Sequence, residues 1–516
     1  MNKILAVVLA VVLAVCLGYI GLHNKKTTEA AENSAAVKEQ TAETAETAVT
    51  GENTADAAES NTLPTEITTA PVVYSETLPV STSGFVPETV TATVYQVTEA
   101  TRVLVTTATE KPATDSDYVY RGAFISSDGK VLWYSDGNER KANPEYDMCV
   151  SNLISKKSAQ KLDTVFNDLL RVKNPSEIRS STGNPLGTSL MLTLNAEKQK
   201  QVFDYLNANN LRAAVTLLDD SGGIEVAAST PGFSNNVSVV SGSSSYYNNV
   251  FREVPLGSVA KISSGVVLAF NHIMTMDDPG KDDVLSIVNW DYGRNANYPV
   301  KGETIFIAFV NSSNYFFGKG YSDLGADRIR LPLDMFFSYS KPVVCDFGTL
   351  ERSFDFEDNV KRAHAAFGQR CRMTMLNICM DARAAVTGEL VTPHILQAKV
   401  DTKTGQTLEK LGRKTVVPDT VPIPDEYRKD VCNGMKQLAD NSKLSAEGWE
   451  LYAKTGSAAS EGLFADDILS TVVVARNTQT GEVKTLMLTV FNGSEHGYHY
   501  ASDTKAHVHD LVNMLF

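Results

Sequence analysis

The sequence predicts an α+β protein: a mostly antiparallel sheet covered by helices on both faces, preceded by a small N-terminal α+β unit. Three observations lead there. Apolar, β-rich runs stand near both ends of the ordered part, at 189–195, 212–229, 449–453, 468–476 and 483–492. Helical periodicity fills much of the stretch between them, so strands that must pair are far apart in the chain. Tight turns at Asp220-Ser-Gly-Gly223 and Thr480-Gly481 join neighbouring strands as hairpins, whereas a doubly wound fold alternates strands and helices one by one.

The first element is ILAVVLAVVLAVCLGYIGL, residues 4–22, an uncharged apolar run of 19 residues, long enough to cross a bilayer as a helix. No clear small-x-small cleavage site follows it. Residues 1–26 are therefore expected to be an uncleaved membrane anchor, ahead of a removed signal peptide or a lipid attached at Cys16. Residues 27–117 carry 15 acidic against 3 basic side chains, most of the chain's net charge of −14. Rich in Thr, Ala and Glu and poor in large apolar groups, they are expected to form a disordered tether. The remainder is nearly neutral, which argues against a nucleic-acid binder.

Residues 118–188 form the small α+β unit. Two β-rich runs flank Asp128-Gly129, a hairpin signal, and Leu162, Val165, Phe166, Leu169 and Leu170 follow at helical spacing. The main unit, 189–516, opens with the strand at 189–195 and a helix capped by Asn195 and running to about Ala208. The 212–229 hairpin is apolar throughout, which suggests the middle of a sheet. A hydrophobic helix is expected from Ser258 to Met274, helical sequence at 360–385, a strand entering Lys454, two further strands, and a closing helix at 503–516. Five cysteines lie beyond the apolar run, Cys149, Cys345, Cys371, Cys379 and Cys432. An odd number without CxxC spacing predicts free buried thiols, with no metal and no cofactor implied.

Three strings carry chemistry: Ser258-Val-Ala-Lys261, Ser312-Ser-Asn314 and Lys454-Thr455-Gly456-Ser457. A serine and a lysine three apart on a helix share a face. The lysine can act as base once burial favours its neutral form. The pattern recurs at Ser127/Lys130, Ser158/Lys161, Ser338/Lys341 and Ser502/Lys505, and a second Lys-Thr-Gly stands at Lys403-Thr-Gly405. Context separates the copies. Ser258 opens an apolar helix behind Pro255-Leu-Gly257, where a lone lysine is costly without a task. Small residues flank Lys454, while Lys403 sits in a polar turn.

From about Tyr120 to its end the chain resembles the penicillin-binding proteins of the monofunctional transpeptidase kind. The three strings carry that resemblance together with Leu192-Thr-Leu-Asn195, Ala213 to Phe233, Leu324-Gly-Ala-Asp-Arg328, Gly388-Glu-Leu-Val-Thr-Pro-His394 and Tyr452-Ala-Lys-Thr-Gly-Ser-Ala458. It implies the fold shared with serine β-lactamases, and a peptidoglycan D,D-transpeptidase that cross-links stem peptides through a serine acyl-enzyme and is inhibited by β-lactams. Ser258 would be the nucleophile, Lys261 its base, Ser312 a proton relay and Asn314 a holder of the substrate amide. Lys454 and Thr455 would engage the substrate carboxylate, Gly456 would allow close approach, and the backbone N–H groups of Ser258 and Ser457 would form the oxyanion hole. The resemblance also implies a single-pass membrane protein with an extracellular catalytic domain, and wall-synthesis membrane proteins as partners.

A class A β-lactamase would also want a glutamate followed four residues later by asparagine. Between Asn314 and Lys454 no glutamate is so placed. A D-alanyl-D-alanine carboxypeptidase, and a tethered β-lactam sensor or scaffold without turnover, stay open.

Overall fold

The structure, a computed structural model, describes residues 118–516 except 138, 238–242, 256, 277–301, 370 and 460–466. The expected anchor and tether lie outside the described residues.

Strands β1 (Phe124–Ile125), β2 (Val131–Asp136) and β3 (Glu139–Ala142) come first, with Gly129 at a φ of 80° turning β1 into β2. Helix α1 (Asp147–Ile154) follows. The periodic stretch after it gives two four-residue turns, Leu162–Val165 and Asn167–Leu170, in place of one helix. Lys161 enters them at a φ of 50°, and Phe166 breaks them apart with non-helical backbone. Strand β4 (Ser189–Leu192) pairs in parallel with β1. Helix α2 (Ala196–Ala208) begins where expected: Asn195 accepts from Lys198 N at 2.9 Å, and Asp128 Oδ1 accepts from Ala196 N at 2.8 Å.

Strands β5 (Ala213–Leu218) and β6 (Ile224–Ser229) fold back on each other because Asp219 Oδ1 accepts from Ser221 N and Gly223 N, each at 2.8 Å. Far along the chain, β7 (Leu396–Val400) and β8 (Thr407–Lys410) complete a six-stranded sheet of order β8-β7-β4-β1-β2-β3. Residues on both sides of position 188 thus share one sheet.

The second sheet holds the site. Strands β9 (Trp449–Ala459), β10 (Asp467–Asn477) and β11 (Val483–Val490) join β5 and β6 in the order β9-β10-β11-β5-β6, every pair antiparallel. The apolar hairpin is therefore not central: β5 is an inner strand and β6 an edge. Its outer strand is apolar because α1 and α2 cover it, so burial comes from helices rather than from flanking strands.

Helices α3 (Lys261–Phe270), α4 (Ile305–Val310), α5 (Asn314–Asp323), α6 (Ala326–Phe337) and α7 (Asn359–Ala366) lead to α8 (Met375–Thr387), α9 (Asp425–Asn441) and α10 (Lys505–Leu515). The helix expected over 258–274 is shorter than predicted. A 3-10 turn, Gly257–Ala260, precedes it, and it ends at Phe270. The helical sequence of 360–385 splits into α7 and α8 around the short strand Cys371–Met373. Helix α8 packs against β10, β11 and α3. A Thr374–Asn377 capping box starts it, and Gly388 ends it at a φ of 88°. Its buried Leu376 and Ile378 each contribute about 1.5–3 kcal/mol. The chain is thus an α+β fold with helices on both faces of the antiparallel sheet. Cys149, Cys345, Cys371 and Cys379 are buried and free, Cys432 is half-buried, and burial pushes the Cys149 and Cys371 thiols up to about 12.

Candidate active site

Three backbone segments meet where Ser258 sits. Gly257 takes a φ of 61°, and a Cβ there would stand 2.2 Å from Ser457 O; a Cβ on Gly368 would stand 1.8 Å from Gly257 O. Both positions therefore need glycine. The reward is that β9 and the 3-10 turn lie backbone to backbone, with Ser258 half-exposed between them.

Lys261, the first residue of α3, is fully buried. Its Nζ lies 3.0 Å from Ser258 Oγ, 3.1 Å from Ser312 Oγ, 2.7 Å from Ser312 O and 2.6 Å from Asn314 Oδ1. Ser312 reaches it from the corner between α4 and α5, in left-handed backbone at a φ of 54°. Ser313 then caps α5 by accepting from Phe316 N at 3.2 Å, which fixes Asn314 as the first helical residue. From the other side Lys454 Nζ donates to Ser312 Oγ at 3.1 Å. Each lysine faces a ring, Lys261 over Phe317 at 5.7 Å and Lys454 over Phe309 at 5.3 Å.

Strand alternation explains the rest of β9. Lys454 and Gly456 are buried, while Thr455 and Ser457 are half-exposed. Ser457 Oγ accepts from Ala501 N at 2.9 Å, so its side chain is tied to the turn before α10.

Two cations this close and this buried cannot both keep ordinary proton affinity. Burial, then the charge of Lys454, holds Lys261 well below the usual lysine range, and Glu303 opposes the shift. Burial takes Lys454 down to about 7. The arrangement places a basic amine against a hydroxyl, and a second hydroxyl between two amines. That is the equipment of nucleophilic acyl transfer.

The sequence profile of the penicillin-binding protein transpeptidase domain matches residues 213–506. The chain belongs to this family. Among solved structures, penicillin-binding protein A from M. tuberculosis, as a ceftriaxone acyl-enzyme complex, superposes with a TM-score of 0.61 at 16% identity. The match covers 77% of this chain and 98% of that one. The D,D-transpeptidase domain of a peptidoglycan glycosyltransferase from Eggerthella lenta gives 0.58 at 17% identity, over 77% and 98%. Penicillin-binding protein 2 of Pseudomonas aeruginosa gives 0.57 at 17%, over 78% and 96%. No curated protein matches the chain.

In this penicillin-binding protein Ser502 and Lys505 line a pocket behind Lys454 and Thr455, and the other decoy motifs lie elsewhere. Lys130 pairs with Glu197 at 3.4 Å and Lys341 with Asp419 at 2.8 Å. Ser158 Oγ donates to Ser155 O at 2.7 Å. Lys403-Thr-Gly405 forms the β7–β8 turn, with Gly405 at a φ of 73°. Glu303 is a group that sequence reasoning missed. It is buried, accepts from Ser313 Oγ at 3.3 Å, and faces Lys261 electrostatically. A buried chain under α3 was missed as well: Ser263 Oγ lies 2.7 Å from Tyr339 OH, which donates to Asp381 Oδ2 at 2.8 Å, and Arg352 pairs with Asp381 at 2.6 Å. Burial lifts the Asp381 carboxyl to about 6 against the pull of Arg352.

Proposed function

We propose that this protein is a peptidoglycan D,D-transpeptidase acting through an acyl-enzyme on Ser258. The observation that carries the reading is the set of four oxygens around Lys261 Nζ. Two of them, Ser312 O and Asn314 Oδ1, can only accept. A neutral amine gives its two hydrogens to these and turns its lone pair to the Ser258 hydroxyl, 3.0 Å away.

Ser258 Oγ then attacks the carbonyl between two terminal D-alanines while its proton passes to Lys261. The backbone N–H groups of Ser258 and Ser457 hold the oxyanion. As the C–N bond breaks, Ser312, bonded to both lysines, hands a proton to the departing amine and Lys261 replaces it. Lys454 and Thr455 hold the substrate carboxylate, Asn314 the amide, and Gly456 lets the peptide backbone lie along β9. An amine of a second stem peptide attacks the ester by the reverse path, forming the cross-link and freeing Ser258. A β-lactam enters at the first step. Residues 1–26 would anchor the protein in the cell membrane and 27–117 would tether an extracellular catalytic unit, 189–516, on its 118–188 pedestal. Wall-synthesis membrane proteins are the expected partners.

Labelled penicillin should become covalently attached at Ser258, and Ser258→Ala should lose the label while keeping its unfolding transition. Persistent labelling of that variant would refute the assignment. With a D-alanyl-D-alanine thioester and a D-amino acid acceptor, exchange supports transpeptidation. Hydrolysis alone would make the protein a carboxypeptidase, and neither reaction would leave a sensor or scaffold.

A further inference from the structure

A second site lies at the opposite end of the central sheet. A cavity of about 350 Å³ is lined by Arg383, Arg428, Arg476, Lys414, Thr387 and Asp220, among others. Arg476 stands seven residues along β10 from Leu469, the partner of Ser457, roughly 23 Å at the rise of a strand. The cavity is therefore separate from the acyl-transfer site.

Arg383, on α8, is only 3% exposed. Its Nη2 meets Asp220 Oδ1 at 3.3 Å, an oxygen that also accepts from Val483 N at 3.2 Å. Its Nε and Nη1 have no hydrogen-bond partner among the described residues. A buried guanidinium with one long contact is an expensive group to maintain, since each unmade bond leaves a desolvated donor uncompensated. Arg428, from α9, donates to Val386 O at 2.6 Å and pairs with Asp425, and its Nε is also without a partner among the described residues. Arg476 is exposed and forms no ion pair among the described residues. Glu450, opposite it on β9, instead accepts from Tyr452 OH at 2.7 Å. Lys414 pairs with Glu389 at 2.9 Å. Four cations thus gather at one cavity, and the most buried of them, Arg383, keeps two nitrogens without a partner among the described residues.

We propose that this cavity binds the phosphate group of a phosphate ester. The donors come from α8, α9 and β10, on different sides, which suits a tetrahedral oxyanion better than a planar carboxylate, and guanidinium groups match phosphate oxygens well. The source is either a soluble phosphate ester or a lipid headgroup.

The test uses the full chain in discs of neutral phosphatidylcholine, titrated with glycerol phosphate at constant ionic strength and followed by thermal unfolding. A saturable rise in Tm with a midpoint of about 1 mM is expected. Arg476→Gln, at an exposed position, should raise that midpoint about tenfold and leave penicillin labelling unchanged. Arg383→Met should abolish the rise. Should that variant fail to label and so to fold, Lys414→Gln replaces it, with a weaker midpoint expected. If partial replacement of the lipid by phosphatidylglycerol raises the midpoint, the headgroup is the ligand; an unchanged midpoint marks a soluble ester. A Tm rise matched by potassium chloride, or a midpoint unchanged in Arg476→Gln, overturns the proposal whatever happens at Ser258.

Discussion

Lys261 can take a proton from Ser258 only when it arrives uncharged, so in the proposed reaction acylation rises with pH through the lowered pKa of this amine. Its two charged neighbours push that value in opposite directions. Glu303→Gln removes the negative neighbour, lowers the lysine's affinity for its proton, and should move the acid limb of the penicillin-labelling rate to lower pH. Lys454→Met removes the positive neighbour and should move it to higher pH. Displacement of both limbs in one direction would contradict the charge balance. That Ser258, Lys261, Ser312, Asn314 and Lys454 come together was legible because each stands in a short string whose order along the chain is informative. Glu303 was not. It precedes the helix cap Thr304 and looks like an ordinary polar helix start, since nothing in its own segment says that Lys261, 42 residues earlier, will be folded against it.

At the scale of elements, the site depends on how closely the 3-10 turn, β9 and the Gly368 turn can approach. Gly257→Ala introduces a methyl group where Ser457 O already stands and must displace either the nucleophile or the strand. A shift of this size should slow penicillin labelling by about a hundredfold, measured as a second-order rate. Beneath α3, Arg352 neutralises Asp381, and each side chain is at most 2% exposed. Arg352→Met leaves a buried carboxylate unpaired and should cost about 3–5 kcal/mol of stability, measured by urea unfolding at neutral pH. The loss should shrink as pH falls toward about 6, the value that Asp381 has beside Arg352, because without Arg352 the buried carboxyl takes up its proton at a higher pH and then no longer needs a partner. Strand and helix types followed from periodicity, and α2 was bounded correctly by its cap. The split of 360–385 and the edge position of β6 were not legible, because periodicity reports burial without saying whether a strand or a helix provides it.

For the whole molecule, the two sheets draw all their described strands from residues after 118. Removal of residues 1–117 should therefore leave the rate of penicillin labelling unchanged while releasing the protein from the membrane fraction. Retention in that fraction would place the attachment elsewhere. The overall class was readable from strands at both ends with helices between. The joining of β1 and β2 with β4 and β7 in one sheet was not, because their two- to six-residue lengths leave little pattern to read.

That sheet order also sets a timetable for folding. Strand β5 ends at Leu218, yet its inner neighbour β11 begins at Val483, and Ser189 pairs with Val400. A chain made from its N-terminus holds the bonding edge of β5 open until nearly all of its length has emerged. Contacts of such separation are slow to form and leave unpaired edges exposed to aggregation. The same late arrival means that Ser258 waits nearly two hundred residues for its neighbour β9, which begins at Trp449.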